Sequence, residues 1–480
     1  MKKYNLLKAI GIVMCLFLLL TWIIPGGVFT NGVFTKTGHE PVGLFDLILA
    51  PLNFFNWSFV SKQLLSDGAS IQFMSYTGII LALLAIGIFY KVLNKTGAYG
   101  KLIEDIIKKI KDKKEIFIIC TTVFFTLFSA ITGLSLLAFL LVPFFVTVLL
   151  KLKYSKITTL GSTILPILVG RIVAITAGDI TGISNVVFGL KVTTDLAFKL
   201  ILLIIFTVTL VFYVLYSKSS KNETEEDPLY DNIVVKEKSY APILMLTALF
   251  FIIMVVFMYN WYYVFEFASL TNAYESMMST TIGGYPIASN IFGMMEPFGY
   301  WTGFTMSAML ILLSLVISFI YSISFEDIID SAKEGTKKMS RVAIYVVLAC
   351  SVMVILSNNN SNILFTINNW IHGNLTKAAV PFTAIVSGIY SFFVNDFFAV
   401  SSPLSNMLST YFTGDNLSLS VLTMQFMHGL VSIVTPTSIF LVAGLAYLEI
   451  PYKKWIAYIW KFCLIVLAVG LLLLLLVSMI

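Results

Sequence analysis

Three charged side chains fall at the predicted depth of a membrane interior: Arg171, Asp179 and Asp396. A charge at the centre of a bilayer costs roughly 2.5–3.5 kcal/mol on insertion scales, so such groups persist when they are paired, hydrated or bound to a ligand. An arginine can hold a carboxylate through two parallel hydrogen bonds, whereas an aspartate can hold an ammonium group or a cation. These residues therefore predict a site for a small charged solute.

Arg171 and Asp179 are eight residues apart, which is about 12 Å along an α-helix. They can meet only if the helix unwinds, and Gly178 and Gly182 permit that. Two interpretations remain open. The two side chains form an internal ion pair that stabilises the break, or Arg171 receives a substrate carboxylate while Asp179 serves an ammonium group or a coupling cation.

A second polar region lies near the C-terminus. Asn395 and Asp396 interrupt the aromatic run Ser391–Pro403, and Thr435–Ser438 (TPTS) cuts a helix-length apolar segment near its middle. Helices break inside a bilayer only where the freed backbone groups face protein or a wet cavity. A solute site at mid-membrane is one interpretation of Asp396, and a solvated hairpin tip is the other.

The complete candidate substrate site combines two turns and two helix breaks: Thr132, Gly133, Ser135, Arg171, Thr176, Gly178, Asp179, Thr181, Ser184, Asn185, Asn395, Asp396, Ser401, Ser402, Thr435, Pro436, Thr437 and Ser438. Asp179, Asp396 and His428 are the candidates for proton or cation coupling, although a lone histidine is also typical of a hydrogen-bonded core. The Asn-rich run 357–362 is more typical of a helix end than of a ligand site. No catalytic residue, cofactor or metal site is predicted; Na⁺ or H⁺ is the candidate coupling ion.

The amino-acid composition indicates the class of protein. Hydrophobic residues make up 58% of the 480 and charged residues 12%, whereas a soluble domain carries about 25% charged residues. Many apolar runs approach the roughly 20 residues needed to span a bilayer. We therefore predict an all-α polytopic membrane protein whose partners are the lipid bilayer and a small solute, and not a nucleic acid.

Nine crossings are predicted, near 6–24, 74–93, 157–190, 197–216, 241–259, 301–323, 342–357, 419–449 and 455–479. The first has the flanks of a signal peptide but no cleavage site, so it is interpreted as a span. One set of connecting segments carries 25 of the 31 Lys and Arg residues. The positive-inside rule then predicts a plasma-membrane protein with its N-terminus inside and its C-terminus outside.

Runs 116–150 and 379–412 fit this orientation only as re-entrant hairpins. Segments 98–114 and 324–341 are amphipathic and are predicted to lie in the cytoplasmic interface. Polar segment 217–240 is predicted to be a cytoplasmic linker between halves 1–216 and 241–480.

The two halves share a pattern. Ser135 lies eight residues before Pro143, and Asn395 lies eight residues before Pro403; a broken span, 157–190 or 419–449, follows each hairpin. Hairpin-plus-broken-helix units of opposite orientation are typical of secondary transporters, which hold the solute between them. The sequence therefore predicts an inverted-repeat transporter fold.

Several motifs resemble the YfcC-like branch of the anaerobic C4-dicarboxylate carrier family, within the ion-transporter superfamily. They are, in order, Leu20–Phe29, Gly43–Phe55, Val92–Ile103, Ser361–Ile371 and, most specifically, Val434–Ile456. The resemblance implies paired re-entrant hairpins, a homodimeric scaffold and an elevator-like movement of the hairpin domain. It also implies small carboxylates or, for YfcC-like members, basic amino acids as substrates, with cation coupling or exchange.

The chain departs from the family at its site motifs. Ser135-Leu136 stands where YfcC-like proteins carry a Glu-Glu pair, Asp179–Ser184 replaces an Asn-Pro-Phe break, and Phe392–Asp396 replaces a small-residue turn. Because Asp179 and Asp396 supply acidic groups, exchange of a basic amino acid is favoured. A C4-dicarboxylate or short-chain carboxylate carrier is the alternative, and a non-transporting channel or accessory protein is the alternative of another class. An enzyme is disfavoured because no nucleophile–base pair is present.

Overall fold

The computed structural model describes residues 5–30, 33–39, 41–60, 76–219, 226–231, 238–293, 295–357, 363–375 and 379–479. Asn358–Asn362 of the Asn-rich run and parts of the predicted linker lie outside these ranges. Within them the chain is nearly all helical, with two short β-hairpins, β1–β2 and β3–β4, of which Gly26–Thr30 and Val33–Gly38 form the first.

The N-terminal half contains α1 (Asn5–Ile23), β1 (Gly26–Thr30), β2 (Val33–Gly38), α2 (Leu44–Val60), α3 (Tyr76–Thr96), α4 (Ala98–Ile110), α5 (Lys114–Thr132), α6 (Ser135–Lys151), α7 (Lys156–Val173), a π-turn (Gly178–Gly182), α8 (Ile183–Phe188) and α9 (Leu196–Tyr216). The middle of the chain forms α10 (Ala241–Met258), α11 (Trp261–Phe265), α12 (Ser269–Ser279), β3 (Thr281–Ile282), β4 (Tyr285–Pro286), α13 (Ile287–Phe292) and α14 (Gly303–Ile320). The remainder forms α15 (Phe325–Ser357), α16 (Ile363–Leu375), α17 (Ala379–Phe393), α18 (Phe397–Tyr411), α19 (Asp415–Ser432), α20 (Ile439–Leu448) and α21 (Tyr452–Val477).

Nine helices of the described chain are long and apolar enough to cross a membrane: α1, α3, α5, the α7–α8 segment, α9, α10, α14, α15 and α21. The predicted class, an all-α polytopic membrane protein, is thereby confirmed. The set differs from the predicted spans in two places. Helix α5 has 19 residues, about 28 Å, so the first arm of the predicted hairpin is long enough to cross. Segment 419–449 is not among the nine span-length helices, because its polar break divides it into α19 and α20.

Residues 325–341 of the predicted interfacial segment continue into the next span as α15, a continuous helix of 33 residues. Their place at the cytoplasmic interface stays a prediction. This part of the helix makes a contact that the local pattern does not show: a Cβ atom on Gly335 would overlap the Gly87 backbone of α3. Helix α3 crosses α14 in the same way, at Gly78 and Gly303. Small residues let helices pack backbone to backbone, and α3, α14 and α15 are called here the scaffold helices.

Two hairpin units carry the predicted repeat. In the first, α5 and α6 form a hairpin, and α5 packs along α7, which breaks before α8. In the second, α17 and α18 form a hairpin, and α17 packs along α19, which breaks before α20. The broken helices α7 and α19 also contact each other. A Cβ atom on Gly429 would lie 2.5 Å from the Ile172 Cα atom, so this crossing lies beside Arg171 and His428.

Candidate functional site

The first break is held by the end of the first hairpin arm. Helix α7 ends at Val173, and the N–H groups of Ile175 and Thr176 both donate to the Ala130 carbonyl, at 2.8 and 3.3 Å. The Thr176 hydroxyl donates to the Ile131 carbonyl at 2.7 Å. Carbonyls left free at a helix end need such donors. The break and the hairpin turn therefore stabilise each other.

The second break is also held by the end of a first hairpin arm, here through side-chain hydrogen bonds. The hydroxyl groups of Thr435 and Thr437 both donate to the Phe392 carbonyl, at 2.7 and 3.0 Å. The Thr176–Ile131 and Thr437–Phe392 bonds each join residues 45 positions apart. The same connection at the same sequence separation is the clearest structural expression of the repeat.

Arg171 and Asp179 form an ion pair across the first break, and Ser135 Oγ lies 3.4 Å from the same Arg171 nitrogen. Arg171 is only 6% exposed. The internal pair, one of the two interpretations of the sequence, is thus present. The second carboxylate oxygen of Asp179, Oδ1, has no hydrogen-bond partner among the described residues. Gly133 lies directly against it, because a Cβ atom there would overlap Oδ1.

Asp396 caps the second arm of the second hairpin. Its Oδ1 accepts the Ala399 N–H at 2.8 Å. The Tyr76 hydroxyl of α3, which donates to Met353 Sδ at 3.5 Å, lies near enough to the carboxylate to interact with it electrostatically. The Asp396 and Asp179 carboxylates are close enough to interact electrostatically. Neighbouring Asn395 donates to Ser432 Oγ at 3.1 Å, beside the second break. The structure therefore brings the two hairpin tips and both breaks into one region.

His428 is fully buried between these groups. Its Nδ1 lies 3.1 Å from Ser391 Oγ, and its ring packs edge-on against Phe397 at 5.4 Å between centroids. Its Nε2 has no hydrogen-bond partner in the described part of the chain, and Arg171 is near enough to interact with it electrostatically. Full burial beside the cationic Arg171 suits a neutral imidazole.

A cavity of about 120 Å³ adjoins the first hairpin tip. Its wall on the tip side consists of predicted site residues, namely Thr132, Gly133, Ser135, Gly178 and Asp179. The opposite wall is Ile79, Met258, Asn260 and residues 299–303, which include Trp301. Because one water needs roughly 10–15 Å³ on this measure, the cavity has room for about ten water-sized groups.

Other predicted site residues use their side chains to donate hydrogen bonds to backbone carbonyls of the protein. Thr181 donates to the Ala174 carbonyl, Ser184 to Ile180, Asn185 to Tyr263 and Ser401 to Phe398. Pro436 and Ser438 are buried in the second break, and Ser438 lies at the start of α20. Ser402 is exposed on the outer side of α18 and does not join the other candidates.

Two residues of the region were missed at the sequence level. Gln425, fully buried on α19, donates to the Ala174 carbonyl at 3.2 Å and so ties the two broken helices together. A lone amide in an apolar helix was a detectable signal, by the same reasoning that selected Asp396. Tyr76 gave no such signal, because a tyrosine near the end of a span is ordinary.

Comparisons with known proteins place the chain as follows. A family model described as "C4-dicarboxylate anaerobic carrier" (DcuC) matches residues 5–479. An uncharacterized protein of Haemophilus influenzae is 21% identical over 520 residues, covering 95% of this chain and 94% of that protein. The crystal structure of the Alcanivorax borkumensis YdaH transporter is similar with a TM-score of 0.42 and 12% identity, covering 99% of this chain and 98% of the other.

Proposed function

The chain belongs to the C4-dicarboxylate anaerobic carrier family and is a multi-pass membrane transporter, and we propose that it moves a small amino acid or organic carboxylate across the plasma membrane by secondary active transport. The family assignment agrees with the motif resemblance, while the YfcC-like branch stays a prediction. The observation that carries the proposal is the buried Arg171–Asp179 ion pair, whose Asp179 lines the cavity and lies within electrostatic range of Asp396.

The balance of buried charge favours an amino acid. Among the described residues of this region, one arginine and two aspartates give a net charge of 1 − 2 = −1 with His428 neutral. A basic amino acid, with a net charge of +1, neutralises the region. Its carboxylate replaces Asp179 on Arg171, and its cationic groups bind the two aspartates. Exchange of one basic amino acid for another keeps this balance through the cycle.

The cavity agrees with a solute of this size. Room for about ten water-sized groups matches the non-hydrogen atoms of lysine or ornithine. The charge on its wall is the Asp179 carboxylate, whose Oδ1 has no hydrogen-bond partner among the described residues. Trp301 on the opposite wall offers an aromatic surface to a cation.

Alternating access follows from the two hairpin units. In the proposed cycle these units move against the scaffold helices of a homodimer, with the N-terminus inside and the C-terminus outside. The coupling ion is Na⁺ or H⁺, with Asp179, Asp396 and His428 as its candidate carriers. The Asp179 Oδ1 atom, which has no hydrogen-bond partner among the described residues, supports this role for Asp179.

A C4-dicarboxylate is the second candidate, favoured by the description of the matching family. A dianion would make the net charge of the region −1 − 2 = −3, so it requires protons on Asp179 and Asp396. Proton-coupled uptake that rises as the pH falls is therefore expected for a dicarboxylate. Exchange of a basic amino acid needs both aspartates ionised, so it should weaken as they become protonated.

Counterflow into proteoliposomes tests the proposal, with labelled arginine, ornithine, serine and succinate supplied separately. We expect saturable counterflow of arginine or ornithine that Asp396→Asn abolishes and that Ser402→Ala, on the outer side of α18, leaves unchanged. Counterflow of succinate alone supports the dicarboxylate candidate. If none of the four is exchanged, these solute classes are wrong and a channel or accessory role is favoured.

A further inference from the structure

Two lysines of the described chain are buried, and their ammonium groups differ in their partners. Lys91 of α3 is 2% exposed, and it binds Asp231 at 2.6 Å and Glu334 at 2.8 Å. Lys199, in the first turn of α9, is 7% exposed, and its ammonium group makes no ion pair and no hydrogen bond with the described residues. A buried charge is costly unless it is paired. Lys199 therefore lacks the counter-charge that Lys91 has.

The position of Lys199 does not account for this difference. A lysine near the end of a membrane span ordinarily extends its ammonium group into water, whereas Lys199 is covered by neighbouring elements. Asp195, one turn earlier, is near enough to interact with Lys199 electrostatically, but the two do not form an ion pair. An anion from solution would supply the missing charge.

A small polar cavity adjoins Lys199. Its walls are the start of α9 with the loop before it, and α19, which contribute Lys191, Thr194, Asp195, Lys199, Ser418 and Gln425. Thr181 of the first break also lines it. The two lysines and the aspartate give these walls a net charge of 2 − 1 = +1. The electrostatics of the cavity therefore favour an anion.

The hydrogen-bond donors around the cavity also suit an anion. The Lys199 ammonium group has three N–H groups to offer. The Thr194 hydroxyl forms no hydrogen bond within the described part of the chain, and Gln425 Nε2 uses one of its two hydrogens on the Ala174 carbonyl, at 3.2 Å. The remaining lining hydroxyls donate to backbone carbonyls and are not available: Thr181, Ser184 and Ser418.

The size of the cavity narrows the class of anion. Its volume is about 10 Å³, and one water-sized group needs roughly 10–15 Å³ on this measure. A carboxylate, a phosphate or a sulfate has three or more non-hydrogen atoms and is too large. A chloride ion is a single atom, and its one negative charge offsets the net charge of the walls.

We propose that Lys199, Thr194 and Gln425 bind a chloride ion between α9 and α19, beside the first break. The ion pairs with the buried ammonium group and accepts hydrogen bonds from the hydroxyl and the amide. Because Gln425 also donates to the Ala174 carbonyl at the break, the occupied site stabilises this part of the fold. The site is separate from the cavity that Asp179 lines, so it does not depend on the identity of the solute.

Thermal unfolding of the full-length protein in detergent tests the site without any solute. Potassium chloride replaces potassium gluconate at constant ionic strength, because gluconate is too large for the cavity. A ligand that binds only the folded protein stabilises it, so we expect a saturable rise in the unfolding temperature of about 1–2 °C. Bromide, also a single atom, should act in the same way. Without a saturable rise, Lys199 has no bound halide and the proposal is overturned.

Lys199→Met removes the charge and keeps the length of the side chain, so the rise with chloride should disappear. Lys36→Met, at an exposed position of β2, loses the same charge and should keep the rise. Comparing the two variants in each salt also removes the general effect of that salt on stability. A rise that persists in Lys199→Met would show that chloride acts elsewhere, and would overturn the site.

Thr194→Val keeps the test decisive should Lys199→Met fail to fold. It removes one donor to the ion, and a hydrogen bond to a charged group contributes enough that the chloride concentration for half-maximal stabilisation should increase about tenfold or more. Thr193→Val is the matched control, because Thr193 is exposed and does not line the cavity. The same half-maximal concentration in both variants contradicts the binding of chloride at Thr194.

Discussion

Gly133 is the residue on which the geometry of the ion pair most directly depends. Its φ of 71° lies in the left-handed region, where a side chain costs roughly 1–2 kcal/mol, and a Cβ there would displace Asp179. We expect Gly133→Ala to lower the unfolding temperature and to abolish counterflow. Gly189 is the matched control, with a φ of 68° and nothing within 4 Å of an added Cβ. Gly189→Ala should share the stability loss and keep transport; equal transport in both variants would contradict the role given to Gly133.

The Arg171–Asp179 pair gives a second prediction at the residue scale. Removing one partner of a buried pair leaves an uncompensated charge and costs about 3–5 kcal/mol. Arg171→Gln and Asp179→Asn should each lower the unfolding temperature strongly, and the double variant should be more stable than either. The exposed pair Arg341–Glu449 is the control, because such pairs contribute about 0–1 kcal/mol. Additive losses at Arg171 and Asp179 would show that the two are not coupled.

Residue chemistry explains which parts of the site could be predicted. A charge in an apolar run is costly wherever the chain folds, so Arg171, Asp179 and Asp396 stand out in the sequence. Hydroxyl groups give a weaker signal, because they can donate to a carbonyl one turn earlier or to a distant element. Thr435 and Thr437 were predicted as solute ligands, yet in the structure both donate to the Phe392 carbonyl. Their role as ligands stays a prediction.

At the scale of secondary-structure elements, hydrogen bonds to the neighbouring hairpin hold each helix break in place. Thr435 and Thr437 share one acceptor, the Phe392 carbonyl, so either hydroxyl can satisfy it alone. We expect Thr437→Val to cost little and Thr435→Val more, because the Thr435 hydroxyl also accepts the Thr437 N–H at 3.3 Å. The double variant should lose more than the sum, since a hydrogen bond contributes about 0.5–1.5 kcal/mol and an orphaned acceptor costs more. Thr423→Val is the control, because its hydroxyl bonds within α19 to Leu419. Thermal unfolding of the four variants measures this, and strictly additive losses would argue against a shared cap.

Helix breaks were more predictable than helix continuity. Pro436 and the glycines near Asp179 mark the breaks locally, and the structure has both. The charged first half of α15 instead contains Gly335, which meets Gly87 of α3, 335 − 87 = 248 positions earlier in the chain. Amphipathic charge patterning alone suggested an interfacial helix. A pattern within one segment cannot reveal a partner in another.

At the scale of the whole molecule, α15 of the scaffold packs directly against α20 of the second hairpin unit. Residues 226–231 also contact both the scaffold helices and the hairpin units. The repeated hairpin-and-break pattern and the family could be predicted from sequence because both rest on spacing and motifs that survive divergence. The docking of residues 226–231 could not, since a polar linker and a buried polar segment look alike until Tyr447, Thr147 and Lys91 are placed around it. The identity of the solute could not be predicted for the same reason, because it depends on distances between elements.

If the scaffold is one rigid body, its glycine crossing should tolerate no added side chain. A Cβ on Gly87 would lie 2.5 Å from the Gly335 carbonyl oxygen, and overpacking a tight contact typically costs about 1–3 kcal/mol or more. We expect Gly87→Leu to reduce the yield of folded, monodisperse protein and its unfolding temperature. Gly11→Leu on α1 should change neither, because nothing lies within 4 Å of a Cβ there. A fully stable Gly87→Leu protein would mean that α3 and α15 can slide apart, and that the hairpin units do not move against a fixed scaffold.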